Sequence, residues 1–154
     1  MTEADARNVQ LLLDNQLCFK LYAASRAMIR GYRPMLEQLG LTYPQYLVLM
    51  VLWEWQAQPP LHATVKALGE RLRLDSGTLT PLLKRLEQQG LVLRRRSTLD
   101  EREVLLELTQ QGLALRERVP PLRDRLLCSS GLDQQQLFEL APLLDQLLSQ
   151  LGER

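Results

Sequence analysis

The run LGERLRLDSGTLTPLLKRLEQQGLVLRRRSTLDEREVLLELTQQG, Leu68 to Gly112, changes its apolar period from helical to alternating partway along, and that change decides the fold. At its N-terminal end a short helix is predicted over Val65–Leu74. Val65, Ala67, Leu68 and Leu72 lie on one side of it, with Lys66, Glu70, Arg71 and Arg73 elsewhere. Asp75 and Ser76 suit a helix N-cap, because a side-chain oxygen there accepts from an otherwise orphan backbone N–H, and Gly77 costs little so near a start. A second helix then runs to about Gln89. Leu79, Leu82, Leu83 and Leu86 are predicted to face a core, which leaves Ser76, Thr78, Thr80, Lys84, Arg85 and Gln88 outward. Pro81 lacks an N–H and so is expected close to the helix start, while Gly90 reads as the residue that ends the helix.

Beyond Gly90 the period shortens to two. Leu91–Arg96 and Arg102–Leu108 alternate as strands, the second with Val104, Leu106 and Leu108 on one face, and the polar stretch Ser97–Glu101 turns between them. Two helices followed by a basic hairpin make a winged helix-turn-helix, whose commonest use is to place one helix in the major groove of duplex DNA. Residues 64–102 carry nine Lys or Arg against five acids, a local excess of four positive charges. The whole chain is only +1, so the excess is concentrated where a nucleic acid would meet it. Arginines flanking a hairpin also occur as plain solvated surface. Their coupling to a helix with outward Ser, Thr and Lys favours DNA.

At 154 residues with 45% apolar content the chain is long and apolar enough for one cored domain, residues 1–154. The winged helix-turn-helix occupies 60–108, and 14–40 and 109–151 are expected to be dimerisation helices. The fold class is thus mainly α with a small β-wing. An apolar leader preceded by basic residues is missing, as is any stretch approaching the roughly 18 apolar residues of a membrane span, which predicts a soluble cytoplasmic protein without a membrane partner. Two cysteines 110 positions apart make a structural disulfide framework improbable. His62 is the single histidine, which argues against a transition-metal site, and no cofactor is implied.

Outside the wing the chain reads as helical. A long helix from about Asn15 to Leu39 carries Leu17, Leu21, Ala24, Met28, Met35 and Leu39, with Pro34 expected to kink or shorten it and Gly40 to cap it. A second, with Pro44 at its first position, runs to about Gln56 and should bury Tyr46, Leu47, Leu49, Met50, Leu52 and Trp53 before Pro59-Pro60. Thr109–Val119 forms another, bent or stopped at Pro120-Pro121, and Asp133 caps a last one reaching Leu151 with Leu137, Leu140, Leu144 and Leu147 in a row. The first and last helices lack an obvious core within the chain. A homodimer would fill both and present two wings to two half-sites; completion of a monomeric core is the alternative.

Cys18 falls in the first turns of the long helix, where Asp14 or Asn15 can cap and where unsatisfied N–H groups and the macrodipole favour a thiolate. A small buried hydrophobe is the other reading of a helical cysteine.

Here the residues carry a resemblance. Asn15-Gln-Leu-Cys18-Phe-Lys-Leu-Tyr22, Tyr32, Leu41-Thr-Tyr43-Pro-Gln-Tyr46, Leu74-Asp-Ser-Gly-Thr-Leu-Thr-Pro-Leu-Leu-Lys-Arg-Leu-Glu87, Asp100-Glu-Arg102 and Leu108-Thr resemble the organic-hydroperoxide-sensing branch of the MarR family of winged-helix repressors. The likeness is close from about residue 14 to 112 and loose beyond. It implies a thiolate at Cys18 held by the hydroxyls of Tyr32 and Tyr43, with Tyr22, one turn along the helix, lining the same pocket. Leu17, Phe19, Leu21 and Trp53 would wall it. Tyr32 lies 14 residues after Cys18, about 21 Å along one helix, so a Tyr32 that donates to this sulfur must come from the partner chain.

The same resemblance implies oxidation of Cys18 by an organic hydroperoxide, resolution by Cys128 of the other subunit or by a small thiol, and release of operator DNA. It assigns Ser76, Thr78, Thr80 and Arg85 to the major groove and Arg102, oriented by Asp100, to the minor groove. Lys84, Arg94, Arg95 and Arg96 are phosphate candidates. Two other readings stay open: a repressor released by a phenolic or carboxylate ligand, and a thiol peroxidase. The second is poorly supported, since Lys20 is the one basic residue beside Cys18 and a Thr-x-x-Cys type site is not evident.

Overall fold

The computed structural model describes residue 9, residues 11–119, residue 131 and residues 133–152. It divides into two compact units, Met1–Gly31 with Pro121–Arg154, and Tyr32–Pro120. The elements in chain order are α1 (Leu17–Leu39), α2 (Tyr43–Ala57), α3 (Val65–Leu72), α4 (Ser76–Gln88), β1 (Val92–Arg96), β2 (Val104–Leu108), α5 (Gln110–Leu115) and α6 (Gln134–Gly152), with single 3₁₀ turns at Leu13–Asn15 and Arg116–Arg118. None of the helices among the described residues is long and apolar enough to cross a membrane.

The predicted elements all form within the described residues, but several details differ. Helix α1 continues through Pro34, so the proline neither ends nor shortens it. It begins at Leu17, later than Asn15, and the expected caps do not serve it: Asp14 and Asn15 sit in the preceding 3₁₀ turn, where Asn15 Nδ2 donates to Val9 O at 2.7 Å. Gly40 closes the helix with φ +68, and Leu41 N returns to Leu36 O at 2.9 Å. In α2 the cap is Thr42, whose hydroxyl accepts from Gln45 N while Gln45 Oε1 accepts from Thr42 N, a reciprocal capping box that puts Tyr43 first and Pro44 second. Met50, expected inside, is 45% exposed, whereas Val48 and Val51, which were not expected inside, are buried.

The winged unit is built on leucines. Leu68 of α3, Leu79, Leu83 and Leu86 of α4 and Val92 of β1 are almost wholly enclosed, and Leu106 of β2 closes the same core. Leu82, predicted with them, is only half-buried because its position falls at the margin of the apolar stripe. Helix α3 stops at Leu72, short of Leu74, where Arg73 takes a left-handed conformation with φ 54. Asp75 caps α4, its carboxylate accepting from Thr78 N at 2.8 Å. The helix therefore starts at Ser76 and Pro81 lies past its first turn, where it forgoes a bond to the Gly77 carbonyl. That carbonyl belongs to an exposed residue.

Strands β1 and β2 pair antiparallel with Val92 opposite Leu108 and Arg96 opposite Val104, each shorter at its N-terminal end than predicted. A bridge from Thr64 to Leu105, with Leu106 N donating to Ala63 O at 2.8 Å, ties the hairpin back to the start of α3. Beyond the wing the predicted Thr109–Val119 helix is one short α-helix followed by a 3₁₀ turn, capped by Thr109.

Gly112 shows why the wing base tolerates so little. A Cβ there would sit well inside contact distance of the Leu91 carbonyl oxygen, and the Gly112 carbonyl accepts from the buried Trp53 indole at 2.9 Å. We therefore expect Gly112→Ala to destabilise the protein by about 1–3 kcal/mol through forced backbone displacement, read as a lower denaturant midpoint. A midpoint equal to wild type would show that this approach is not constrained.

Candidate DNA-binding face and cysteine site

With the leucines of α4 committed to the core, Ser76, Thr78, Thr80, Lys84 and Arg85 are all exposed. The hydroxyl protons of the two threonines are already used: Thr80 Oγ1 donates to Ser76 O at 2.7 Å and Thr78 Oγ1 to Asp75 Oδ2 at 3.1 Å. What both present outward is therefore oxygen lone pairs, which suit an amino-group donor. Hydrogen bonds from Thr78, first from its backbone N–H and then from its hydroxyl, hold the Asp75 carboxyl below its usual value, so the cap remains charged.

The arginines of the wing are not equivalent. Arg94 is clasped by Glu87 near the end of α4, Nη2 to Oε2 at 2.6 Å and Nε to the same oxygen at 3.0 Å, with Arg94 N donating to Oε1 at 3.3 Å. Hydrogen bonding from Arg94 also draws the Glu87 carboxyl below its ordinary range. Arg94, expected among phosphate candidates, is thus a strut between α4 and β1. The sequence carries no local sign of this, because the partners are brought together by the turn at Gly90. Arg95 lies a looser 3.7 Å from Glu107, and Arg96 is exposed. At the tip Asp100 Oδ1 accepts from Arg102 N at 3.0 Å and from Arg102 Nε at 3.4 Å. A concavity of about 790 Å³ separates α4 from the wing, with Lys66, Ser76, Thr80, Asp100 and Arg102 on its walls.

Cys18 is exposed and is the second residue of α1. Tyr22, one turn on, is held by Arg26, which donates to the Tyr22 hydroxyl at 3.0 Å and lies 5.3 Å from its ring centre. Its hydroxyl oxygen is thereby used as an acceptor, leaving its proton to donate. In the Tyr32–Pro120 unit, Tyr32 and Tyr43 pack with ring centres 5.1 Å apart. Tyr46, read from the sequence only as core, joins them at 6.0 Å from Tyr32. Its three-residue spacing from Tyr43 at a helix start was the available signal. Trp53, expected to wall the cysteine pocket, is instead buried in the core of the winged unit with its indole on Gly112. Cys128 lies outside the described residues.

Burial raises the Tyr32 phenol from 10.0 to about 12, reinforced by repulsion from Tyr43 and Tyr46. Burial also raises Tyr43, and burial followed by repulsion from Tyr43 raises Tyr46. Such phenols stay neutral and able to donate a hydrogen bond at any physiological pH.

A helix with an outward row of hydroxyls and cations, fixed beside a basic hairpin, defines a winged-helix DNA-binding transcriptional regulator. The comparisons agree. Residues 30–119 match the family described as Transcriptional regulator SarA/Rot. The chain is 49% identical over 142 residues to the organic hydroperoxide resistance transcriptional regulator of Bacillus subtilis (strain 168), covering 92% of this chain and 93% of that one. Reduced AbfR bound to DNA, a Staphylococcus epidermidis protein, superposes with a TM-score of 0.69 at 39% identity, covering 96% of this chain and 99% of that one. The disulfide-formed AbfR scores 0.56 at 38% identity, covering 95% and 99%. The protein belongs to the MarR/SarA family of winged-helix transcriptional regulators and, like these relatives, is a regulator and not an enzyme.

Because the folded-state value of the Tyr32 phenol is raised, the stability gained by keeping it protonated is complete below pH 10 and is lost as pH rises through about 12. Phenolate absorbance should show Tyr32 ionising near pH 12, and Tyr32→Phe should remove its share of the alkaline loss of stability. Ionisation of Tyr32 at its ordinary value would contradict the buried cluster.

Proposed function

We propose that the protein is a homodimeric repressor that binds operator DNA while Cys18 is reduced and releases it when an organic hydroperoxide oxidises that sulfur. The observation that carries this reading is the exposed Cys18 at the head of α1, in a chain that shares 49% identity with a named organic hydroperoxide resistance regulator. The two AbfR structures add weight. Their identities to this chain differ by one point, yet their TM-scores are 0.69 for the reduced DNA-bound form and 0.56 for the disulfide form, so the backbone arrangement of that relative differs between the two.

Helix α6 supports a dimer. Not one of its described residues is buried, and Phe138, Leu143 and Leu151 are each more than 60% exposed. Leu17 at the start of α1 is 61% exposed as well. Apolar surface of this extent is ordinarily covered by a partner, and a second copy also answers the two-fold symmetry of a pseudo-palindromic operator. In the dimer the neutral phenols of Tyr32 and Tyr43 from one subunit would donate to the Cys18 sulfur of the other, with Tyr22 contributing from within the chain.

The chemistry balances simply. The thiolate attacks the outer peroxide oxygen, the O–O bond breaks, and an alkoxide leaves as Cys18 becomes a sulfenic acid; the Cys128 thiol then displaces water to form a disulfide. On the DNA face Ser76, Thr78, Thr80 and Arg85 would meet base edges. Lys84, Arg95 and Arg96 would meet phosphates, and Arg102, aimed by Asp100, would enter the minor groove. Acting on the chromosome, the protein would work in the cytoplasm.

Cys18→Ser should bind the operator like wild type and keep it in the presence of cumene hydroperoxide, measured by fluorescence anisotropy. Oxidant-driven release by that variant would end the redox reading and favour a ligand-released repressor. Cys128→Ser should still sense peroxide but lose the interchain species on non-reducing gels. Arg85→Ala should weaken operator binding by about tenfold or more and relax sequence preference, since one base-reading arginine commonly contributes about 1–3 kcal/mol.

A further inference from the structure

The wing tip displays a leucine with no role in the fold. Leu99 is 91% exposed, three residues before an Arg102 whose side chain is 93% exposed. Exposure of this kind in a floppy loop would mean little, but this loop is pinned. Ser97 is buried, and its hydroxyl oxygen accepts from Leu99 N at 3.2 Å and Asp100 N at 3.3 Å. Ser97 N donates to Glu103 O and Glu103 N to Asp100 O, both at 2.9 Å. Asp100 in turn holds Arg102 from backbone and side chain. The tip is therefore shaped before any partner arrives, and one exposed cation and one exposed branched hydrocarbon stand on the same pinned turn.

We propose that Leu99 is a specificity-determining contact of the wing, seated against the deoxyribose wall of the minor groove next to the arginine. The pairing fits the groove's own chemistry. Its negative potential draws the guanidinium, and its walls are sugar edges with little to offer a charge but a good surface for an aliphatic chain. Ser97 acts as a positioning residue, since its hydroxyl fixes the backbone from which Leu99 projects. This inference rests on the placement of the wing in the minor groove proposed above. It adds that the wing reads groove width through an apolar contact as well as through charge.

The test separates the two. Operator binding of full-length wild type, Leu99→Ala, Leu99→Ser and Arg102→Ala is measured by anisotropy across a salt series, with thermal melts as a check on folding. An exposed side chain can be truncated without loss of fold, so the melts of both Leu99 variants should match wild type. Both should bind about tenfold more weakly at every salt concentration with an unchanged salt slope, as expected for loss of an apolar contact. Arg102→Ala should instead reduce that slope by about one. Wild-type affinity in both Leu99 variants alongside a reduced slope for Arg102→Ala would overturn the leucine contact and leave the wing in the groove. An Arg102→Ala variant with unchanged affinity and slope would remove the wing from the groove altogether, and the present inference with it.

Discussion

The apolar stripe of α4 governs this molecule, because Leu79, Leu83 and Leu86 are almost wholly enclosed against Leu68 and the base of the wing, and the polar remainder of this amphipathic helix is left facing water. Rotating α4 by a single residue would turn its axis by about 100° and drive Thr80 and Lys84 toward hydrocarbon. The outward row of Ser76, Thr78, Thr80, Lys84 and Arg85 is thus held in register by packing several ångströms beneath it. The Glu87–Arg94 clasp extends the same constraint to the hairpin, since it fastens the end of α4 to β1 through three hydrogen bonds. Helix and wing are thereby fastened into one body.

The redox switching proposed for Cys18 would depend on the opposite property. Cys18 is exposed, and α6 buries none of its described residues. The winged unit closes a core on itself, whereas the described residues of α6 leave apolar side chains such as Phe138 and Leu143 exposed. The tyrosine cluster belongs to the closed part. Burial, reinforced at Tyr32 and Tyr46 by repulsion from neighbouring phenols, keeps Tyr32, Tyr43 and Tyr46 protonated, and the donor role proposed for Tyr32 and Tyr43 would depend on that.

Periodicity and cap chemistry alone determined the order of helices and strands, the turn at Gly90, the capping roles of Asp75 and Gly40, and the basic excess of the wing, because each depends on near neighbours along the chain. Cys18, Tyr22, Tyr32 and Tyr43 were singled out through the family resemblance, and of these the structure packs Tyr32 against Tyr43. Where neighbours in sequence were not neighbours in space, that reading failed. Pro34 did not shorten α1, Met50 stayed outside, and Trp53, buried as expected, gave its indole to Gly112, 59 residues away, instead of walling a cysteine pocket. Arg94 was a cation like Arg95 and Arg96 until the hairpin turned it onto Glu87, and Ser97 was merely a polar turn residue until the tip folded over its hydroxyl. Local sequence sets which groups are present and which conformations they prefer. Only tertiary packing decides which of those groups have already found a partner and which remain to be offered to another molecule.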